Sequence, residues 1–390
     1  MRVMFCAVPS TGHIEPMLPL LRALIRRGDQ VAWASAAATH RQMRALGVQH
    51  CFDVGLSQAA ARAEYLRRWP QSTPNMNPAL DPKCFSRLFG AVHAPAALDA
   101  LVQAIRQWTP QLVVSETASL AAPLACELTG CVQVTHGFGM PPPEHLLQDA
   151  AQAFGASWRT ATGSPPPADA GLLRQLYLDI YPPSLQPPER LRTARSQGLR
   201  PCVPKGAGDQ RLPRELAARL DRFADWPLVY VTFGTVVNRQ HGLRTAAAAL
   251  ASLKARLVVT VGGDGDLSFL GPLPPTVHVE RFIAQADLLP HCDLVVSHGG
   301  SGTFLASLAH GLPQLVLPQG ADQFINALAL EDCGAGMALR GDDACADRIH
   351  DAAQTLLVDR AFQAKANRVA TDMAAMPSSE AVAELLEDLA

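Results

Sequence analysis

Short apolar runs alternate with longer segments of helical spacing along most of the chain. At the start, apolar residues 3–8 precede an amphipathic stretch over residues 16–27, and a second apolar run covers residues 31–34. Short strands that are apolar throughout and are joined by a helix are typical of parallel sheets, which helices cover on both faces. The pattern therefore predicts an α/β fold that begins with a strand, a helix and a second strand.

The same order of elements starts again in the second half of the chain. Apolar runs at residues 228–233, 257–261, 294–296 and 315–317 are separated by stretches of helical spacing, and a segment rich in proline and glycine lies before them. Alternating strands and helices on both sides of such a segment indicate two Rossmann-like domains. We place the domains at residues 1–205 and 226–375, the linker at 206–225, and a terminal helix at 376–390.

Composition narrows the class of protein. The 390 residues are 48% hydrophobic and carry a net charge of −2, which argues against nucleic acid as a partner. The nine cysteines are scattered, as expected of buried thiols in a reducing cytoplasm rather than of a disulfide framework or a zinc site. No apolar run reaches the ~20 residues of a membrane span, so we expect a cytoplasmic protein without one.

The periodic pattern is lost between about residues 55 and 89. This stretch contains Trp69, Met76 and Phe85 among several prolines. Long irregular segments inside compact domains are often functional. Two interpretations stay open: the three side chains line an apolar binding pocket, or they pack against the surface of their own domain.

A glycine-rich turn follows the apolar run at residues 294–296. It contains His298, Gly300, Ser301, Gly302 and Thr303, and helical spacing begins directly after it. Glycines allow a ligand close to the backbone, and the free N–H groups of a helix N-terminus attract anions. The turn is either an anion site or a tight connection that needs glycine for packing.

The motifs around this turn favour the anion site. In order, the chain has Arg281-Phe282-Ile283-Ala284-Gln285, His291, His298-Gly-Gly-Ser-Gly-Thr303, Gly311-Leu312-Pro313, Pro318 and Asp322-Gln323. This series resembles the donor signature of the nucleotide-sugar-dependent glycosyltransferases that include bacterial and plant natural-product enzymes. The resemblance covers nearly the whole chain and implies the GT-B architecture, two Rossmann-like domains facing across a cleft, with the last helix returning to the first domain.

The resemblance also implies roles for the donor-binding residues. The turn from His298 to Thr303 would hold the diphosphate together with Thr235, which makes a divalent metal unnecessary. Asp264-Gly265-Asp266 is then a turn rather than a metal motif. The other implied contacts are Phe282 and Ile283 with the base, Asp322 and Gln323 with the sugar, and Asn326 near the phosphates.

His13 is the candidate catalytic base. It follows Gly12 at the first strand-to-helix turn, and the surrounding motif matches that of the family's catalytic histidine. A base of this kind needs its second ring nitrogen held by a carboxylate. Glu116 ends a neighbouring strand where the family usually has Asp, and whether the longer side chain reaches His13 is open. His136 is the alternative base, although an acceptor-lining role suits it better.

Ala306 occupies a position where many relatives that use ribose nucleotides carry Glu. A methyl group cannot bind a 2′-hydroxyl, so we expect a dTDP-sugar donor rather than a UDP-sugar. The resemblance predicts an inverting, metal-independent transfer of a sugar, most simply a deoxyhexose, to a hydroxyl of an apolar secondary metabolite such as a polyketide in antibiotic biosynthesis. The alternatives are a UDP-sugar enzyme, a nicotinamide-dependent oxidoreductase, an epimerase and a non-catalytic binding protein. The oligomeric state, including a homodimer, stays open.

Overall fold

The structure is a computed structural model that describes residues 1–72, 81–187, 195–201, 212, 214–234, 240–262, 270 and 273–389. The described residues form two compact units. The first comprises those within Met1–Tyr181, Pro188–Cys202 and Met376–Ala390, and the second those within Pro182–Pro187 and Val203–Ala375.

A parallel sheet of seven strands in the order β3-β2-β1-β4-β5-β6-β7 forms the centre of the first unit. The strands are β1 Arg2–Cys6, β2 Gln30–Ser35, β3 His50–Asp53, β4 Leu112–Glu116, β5 Val132–His136, β6 Leu176–Asp179 and β7 Ser196–Gly198. The helices up to this point are α1 Thr11–Ile14, α2 Leu18–Arg27, α3 His40–Ala45, α4 Gln58–Arg68, α5 Ala94–Trp108, α6 Ala121–Thr129 and α7 Glu144–Thr162.

The opening strand, helix and strand fold as the apolar pattern predicts. Residues 3–6 of β1 are buried, as expected of a central strand covered on both faces. Helix α2 buries its leucine side and is capped by Gly28, whose φ of 93° is a conformation that glycine adopts without steric cost. The two strands then pair in parallel, from Arg2 with Gln30 to Cys6 with Ala34.

The stretch from residue 55 to 89 is more regular than the sequence pattern indicates. Helix α4 occupies part of it, and a π-helix, Ser86–His93, ends it. Helix α4 buries only Ala61 and Tyr65, and Glu64 bonds to two arginines on its exposed side. With two buried positions in three turns, the helix leaves almost no apolar period in the sequence, which is why the expectation of an irregular segment was wrong here.

One helical stretch, Ser86–Trp108, is long and apolar enough to cross a membrane by length and composition alone. It has 56% of its most apolar window buried inside the protein, as a core helix would. Its buried residues include Leu101 and Ile105, which pack in the core cluster of the first unit together with Met4 and Val113. It is therefore weak evidence for a membrane span.

The second unit contains a parallel sheet of six strands in the order β10-β9-β8-β11-β12-β13. The strands are β8 Leu228–Thr232, β9 Arg256–Thr260, β10 Val277–Glu280, β11 Leu294–Ser297, β12 Gln314–Val316 and β13 Gly336–Ala338. The remaining helices are α8 Arg214–Leu220, α9 Gln240–Leu250, α10 Gln285–Leu288, α11 Ser301–Ala309, α12 Gln323–Cys333, α13 Ala346–Val358, α14 Arg360–Ala375 and α15 Ser379–Leu385.

Part of the segment that we assigned to the linker is folded. Helix α8 lies within residues 206–225, and its Leu216 and Leu220 pack in a core cluster of the second unit with Tyr230. The terminal residues belong to the first unit, where α15 packs on α2 and Arg27 donates a hydrogen bond to the carbonyl oxygen of Ala383 at 2.6 Å.

Candidate functional site

The order of strands in the first unit reverses beside β1, whose neighbours are β2 and β4. Ligands of open α/β sheets bind at the carboxyl ends of the strands at such a reversal. Cys6 at the end of β1 aligns with Ser115 of β4, so the segments after these two strands lie side by side. The segment after β1 carries His13, on α1, and Glu116 is the last residue of β4.

The structure brings His13 and Glu116 into contact. Nδ1 of His13 lies 3.0 Å from Oε2 of Glu116, and the His13 side chain is 14% exposed whereas that of Glu116 is fully buried. The longer glutamate therefore does reach the histidine. Only one edge of the imidazole is held in this way, and part of the ring is accessible to a ligand.

Four donors surround the Glu116 carboxylate. Oε1 accepts hydrogen bonds from the backbone N–H of Val8 and from the hydroxyl of Ser119, and Oε2 accepts from the backbone N–H of Ala118 as well as from His13. Burial by itself raises the pKa of the Glu116 carboxyl, but His13 and the backbone donors outweigh it and lower the pKa below its ordinary value. Glu116 is therefore ionised at neutral pH.

Aromatic rings flank His13. The centroid of Phe138 lies 4.3 Å and that of Phe89 5.5 Å from the centroid of the imidazole, and Phe89 also stacks on His93. Burial lowers the pKa of His93 to about 4, so a second, uncharged imidazole stands near the His13–Glu116 pair. Phe138 and His93 were absent from the residues predicted from the sequence, because no motif marks them.

His136 is fully buried and does not line an accessible surface in this structure. Its Nδ1 donates to the carbonyl oxygen of Gly137 at 2.6 Å, and its Nε2 has no hydrogen-bond partner among the described residues. Burial lowers its pKa to about 4. An inaccessible imidazole of this kind is a poor candidate for the base.

Trp69 and Phe85, the described members of the predicted apolar pocket, both pack within the first unit. Trp69 lies against Tyr65 at 5.3 Å between ring centroids and beneath the Arg87 guanidinium, and Phe85 lies 5.0 Å from Phe89. Phe85 thus belongs to the aromatic group that reaches His13 through Phe89. Trp69 belongs to a separate small cluster.

The second unit repeats the arrangement at its own reversal of strand order, between β8 and β11. His298 follows β11, and its ring stacks on Phe233 after β8 at 6.3 Å between centroids. A Cβ atom on Gly234 would lie 2.8 Å, and one on Gly300 2.7 Å, from the nearest atom of this ring. Both glycines are therefore needed to accommodate His298. Burial lowers the pKa of His298 to about 4, which leaves the ring neutral.

A hydrogen-bond network holds the start of α11. The hydroxyl of Ser301 donates to Oδ2 of Asp322 at 2.5 Å, and Nδ2 of Asn326 donates to the Gly299 carbonyl oxygen at 2.9 Å and to the Ser301 hydroxyl at 3.1 Å. Gly300 is the N-cap, and no side chain caps the helix. The network fixes a helix N-terminus without occupying it, as an anion site requires.

The other predicted donor residues differ in accessibility. Gln285 donates to the Thr303 hydroxyl at 2.8 Å, and the side-chain oxygen of Gln323 accepts from the backbone of the loop before it. Phe282 is 72% exposed, whereas Ile283 is buried. Ala306 is fully buried in the core cluster around Ile283, so its methyl group does not face a ligand. The prediction of a thymidine nucleotide therefore rests only on the absence of an acidic side chain at position 306.

Several predicted features lie outside the described residues, namely Met76, Thr235 and Asp264-Gly265-Asp266. The described ranges contain no group of three or more His, Cys, Asp or Glu side chains that could hold a metal ion.

Comparison with known proteins finds relatives that align with nearly the whole chain. The model of the erythromycin biosynthesis protein CIII-like C-terminal domain matches residues 244–389. The elloramycin glycosyltransferase ElmGT of Streptomyces olivaceus is 32% identical over 99% of this chain and 97% of its own length, and the TDP-daunosamine transferase DnrS of Streptomyces peucetius is 28% identical over 100% and 97%. The solved structure of the glycosyltransferase SnogD from Streptomyces nogalater superposes with a TM-score of 0.75 at 26% identity, over 100% of this chain and 99% of that one.

Proposed function

This chain belongs to the bacterial natural-product glycosyltransferases, and we propose that it transfers a deoxyhexose from a dTDP-sugar to a hydroxyl group of an apolar secondary metabolite such as a polyketide, with inversion at the anomeric carbon. The observation that carries the proposal is the contact between His13 and the ionised, fully buried Glu116.

The contact supports Nε2 of His13 as the nitrogen that acts as the base. An ionised carboxylate only accepts hydrogen bonds, so Nδ1 of His13, 3.0 Å from Glu116, carries the ring proton. Nε2 then presents a lone pair, and it removes the proton from the acceptor hydroxyl as that oxygen attacks the anomeric carbon. Glu116 stabilises the imidazolium that forms, in the role that the carboxylate has in hydrolase triads.

The surroundings of Glu116 support a single displacement. Retention of configuration by double displacement, as in retaining glycosidases, needs a nucleophile on the enzyme that forms a covalent glycosyl intermediate. Glu116 is fully buried, and both of its oxygens accept two hydrogen bonds, so it is unsuited to that role. With His13 acting as a base on the acceptor, attack comes from the face opposite the leaving group, and the configuration inverts.

The leaving group would bind at the start of α11. The N–H groups of Ser301, Gly302 and Thr303 belong to the first turn of a helix without a side-chain cap, and they suit a departing diphosphate. These donors supply the stabilisation for which other enzymes use a divalent cation, so we expect activity without added metal. Asp322, held by Ser301, would contact the sugar, and Phe282 would contact the base.

Two observations support thymidine over uridine. DnrS, which aligns with the whole chain, is by its name a TDP-daunosamine transferase. In addition, position 306 is occupied by the buried Ala306, so no acidic side chain is available there to bind a ribose hydroxyl. The aromatic rings of Phe89 and Phe138 beside His13 favour an apolar acceptor skeleton next to the attacking hydroxyl. We place the reaction in the cytoplasm, in keeping with the free thiols of the described cysteines.

The donor can be tested without knowledge of the acceptor. Thermal unfolding is measured with dTDP, UDP or NAD⁺ added separately, because a ligand of the native state raises the midpoint. We expect the largest shift with dTDP. A shift as large with UDP would discard the thymidine proposal, and a shift with NAD⁺ alone would discard the donor site.

The reaction is tested by incubating dTDP-deoxyhexoses with a panel of polyketide aglycones in the presence and absence of a chelator. Mass spectrometry identifies the glycoside, and NMR of its anomeric proton gives the configuration. We expect a product of inverted configuration with or without the chelator. Retained configuration would overturn the single displacement, and loss of activity with the chelator would overturn the metal-free mechanism.

A further inference from the structure

Two cysteines meet at the end of helix α6, at the opposite end of β5 from the catalytic pair. The helix ends at Thr129, and Gly130 follows with a φ of 69°. The backbone N–H groups of Gly130 and Cys131 both donate to the carbonyl oxygen of Cys126, the second over 3.1 Å. In turns of this type, the side chains of the two residues joined by the bond that spans more residues, here Cys126 and Cys131, often contact each other.

The two thiols also interact with each other. A hydrogen bond from the Cys126 thiol to the Cys131 sulfur raises the pKa of Cys126, and burial raises it further, while the same bond lowers the pKa of Cys131. When protonated, the Cys131 thiol donates a hydrogen bond to the carbonyl oxygen of Pro110, which lies 3.4 Å away. Hydrogen bonding between paired thiols is also what lowers the pKa of the attacking cysteine in Cys-X-X-Cys motifs.

A cavity of about 380 Å³ gives access to the pair. Cys126 and Cys131 both line it, together with Arg174 and Arg195. Cys126 is buried, whereas Cys131 is partly exposed, so Cys131 is the thiol that a small reagent reaches first. Arg174 pairs with Glu127, which also lines the cavity, so the second guanidinium, that of Arg195, leaves the lining with a positive charge that suits a reagent carrying carboxylates.

We propose that Cys126 and Cys131 form a reversible redox modification site, which exchanges with low-molecular-weight disulfides such as glutathione disulfide. The Cys131 thiolate attacks one sulfur of the reagent, forms a mixed disulfide and releases one glutathione thiolate. The Cys126 sulfur then attacks Cys131, which forms the Cys126–Cys131 disulfide and displaces the second glutathione. The two thiol protons pass to the two glutathiones, so the protein is oxidised by two electrons and the reagent is reduced.

The backbone geometry suits the product. A disulfide needs α-carbons about 4.4–6.8 Å apart, and one backbone hydrogen bond already joins residues 126 and 131. The link would close a loop of only a few residues, so we expect it to form without unfolding of α6. This inference is independent of the proposed donor and acceptor.

The test treats the full chain with glutathione disulfide and maps the cysteines by mass spectrometry of an unreduced digest. We expect a Cys126–Cys131 link in the wild type, a stable glutathione adduct on Cys131 in Cys126→Ser, and no adduct on Cys126 in Cys131→Ser. Cys345→Ser, which removes an exposed thiol elsewhere, should leave the link unchanged.

Three outcomes would overturn the proposal. They are modification of Cys345 alone, a disulfide between any other pair of cysteines, and absence of the glutathione adduct in a folded Cys126→Ser protein. Where a serine variant does not fold, as judged by its circular dichroism, the digest of the wild-type protein decides alone.

Discussion

The carboxylate of Glu116 reaches the imidazole of His13 from the neighbouring strand, with 3.0 Å between Oε2 and Nδ1. The additional methylene of glutamate, compared with the aspartate usual in this family, is accommodated because the backbone N–H groups of Val8 and Ala118 and the Ser119 hydroxyl hold the carboxylate from its other sides. The Glu116 side chain is thus held in a conformation that spans the distance between β4 and α1.

Replacing Glu116 by Gln should lower kcat by about 10²–10⁴-fold, because an amide neither holds the Nδ1–H tautomer with the same strength nor stabilises the imidazolium. The KM for the nucleotide sugar should change little, since the donor residues lie in the other unit. Glu116→Asp should show a smaller loss, and the exposed Glu144→Gln serves as the control. Unchanged kcat in a folded Glu116→Gln protein would remove Glu116 from the mechanism.

The sequence pattern, together with the resemblance of its motifs to the family, was sufficient to predict that His13 and Glu116 lie near each other and that a glycine-rich turn precedes α11, where we propose that the diphosphate binds. Residues directly after parallel strands gather at one edge of the sheet, so a local pattern of apolar runs already indicates which polar residues meet. Phe138 and His93 could not be predicted, because they approach His13 only through the packing of a π-helix and a loop. The burial of Ala306 depends on core packing in the same way.

Two glycines of the turn should respond differently to alanine. At Gly302 a methyl group would meet no atom within 4 Å in the described part of the chain, whereas at Gly300 it would meet the His298 ring at 2.7 Å. Gly302→Ala should therefore keep or raise the thermal midpoint, as alanine favours a helix by up to about 1 kcal/mol, yet weaken dTDP binding by about tenfold. Gly300→Ala should lower the midpoint.

Calorimetric titration with dTDP measures the affinity, and thermal unfolding without ligand measures the stability. Normal dTDP affinity in Gly302→Ala would show that the diphosphate does not approach the first turn of α11.

Asn326→Ala should destabilise the second unit by about 2 kcal/mol. The change leaves the Gly299 carbonyl oxygen without its side-chain donor and removes the bond that the Ser301 hydroxyl accepts, so that only Asp322 still holds Ser301, in a place where Asn326 is fully buried. Because the same bonds fix the turn, dTDP affinity should fall as well. Asn326→Asp keeps the shape of the side chain but loses the N–H donor, so its loss of stability should resemble that of Asn326→Ala. A urea midpoint equal to that of the wild type in both variants would contradict the role of the network.

Stability should fall as the pH decreases from about 6.5 toward about 4. Burial lowers the pKa of His93, His136 and His298 to about 4, below the value of about 6.5 in an unfolded chain. In this window the unfolded state binds protons that the folded state does not, so each histidine removes up to about 1.4 kcal/mol of stability per pH unit. Below this range both states are protonated, and the effect of these groups ends.

Urea unfolding between about pH 7 and about pH 5 measures the effect above the range in which carboxylates titrate. His136→Gln replaces one of these groups with a side chain that does not titrate, so its urea midpoint should depend less on pH than that of the wild type. The exposed His145→Gln is the control and should retain the wild-type dependence. Equal dependence in His136→Gln and His145→Gln would show that His136 is not held neutral by burial.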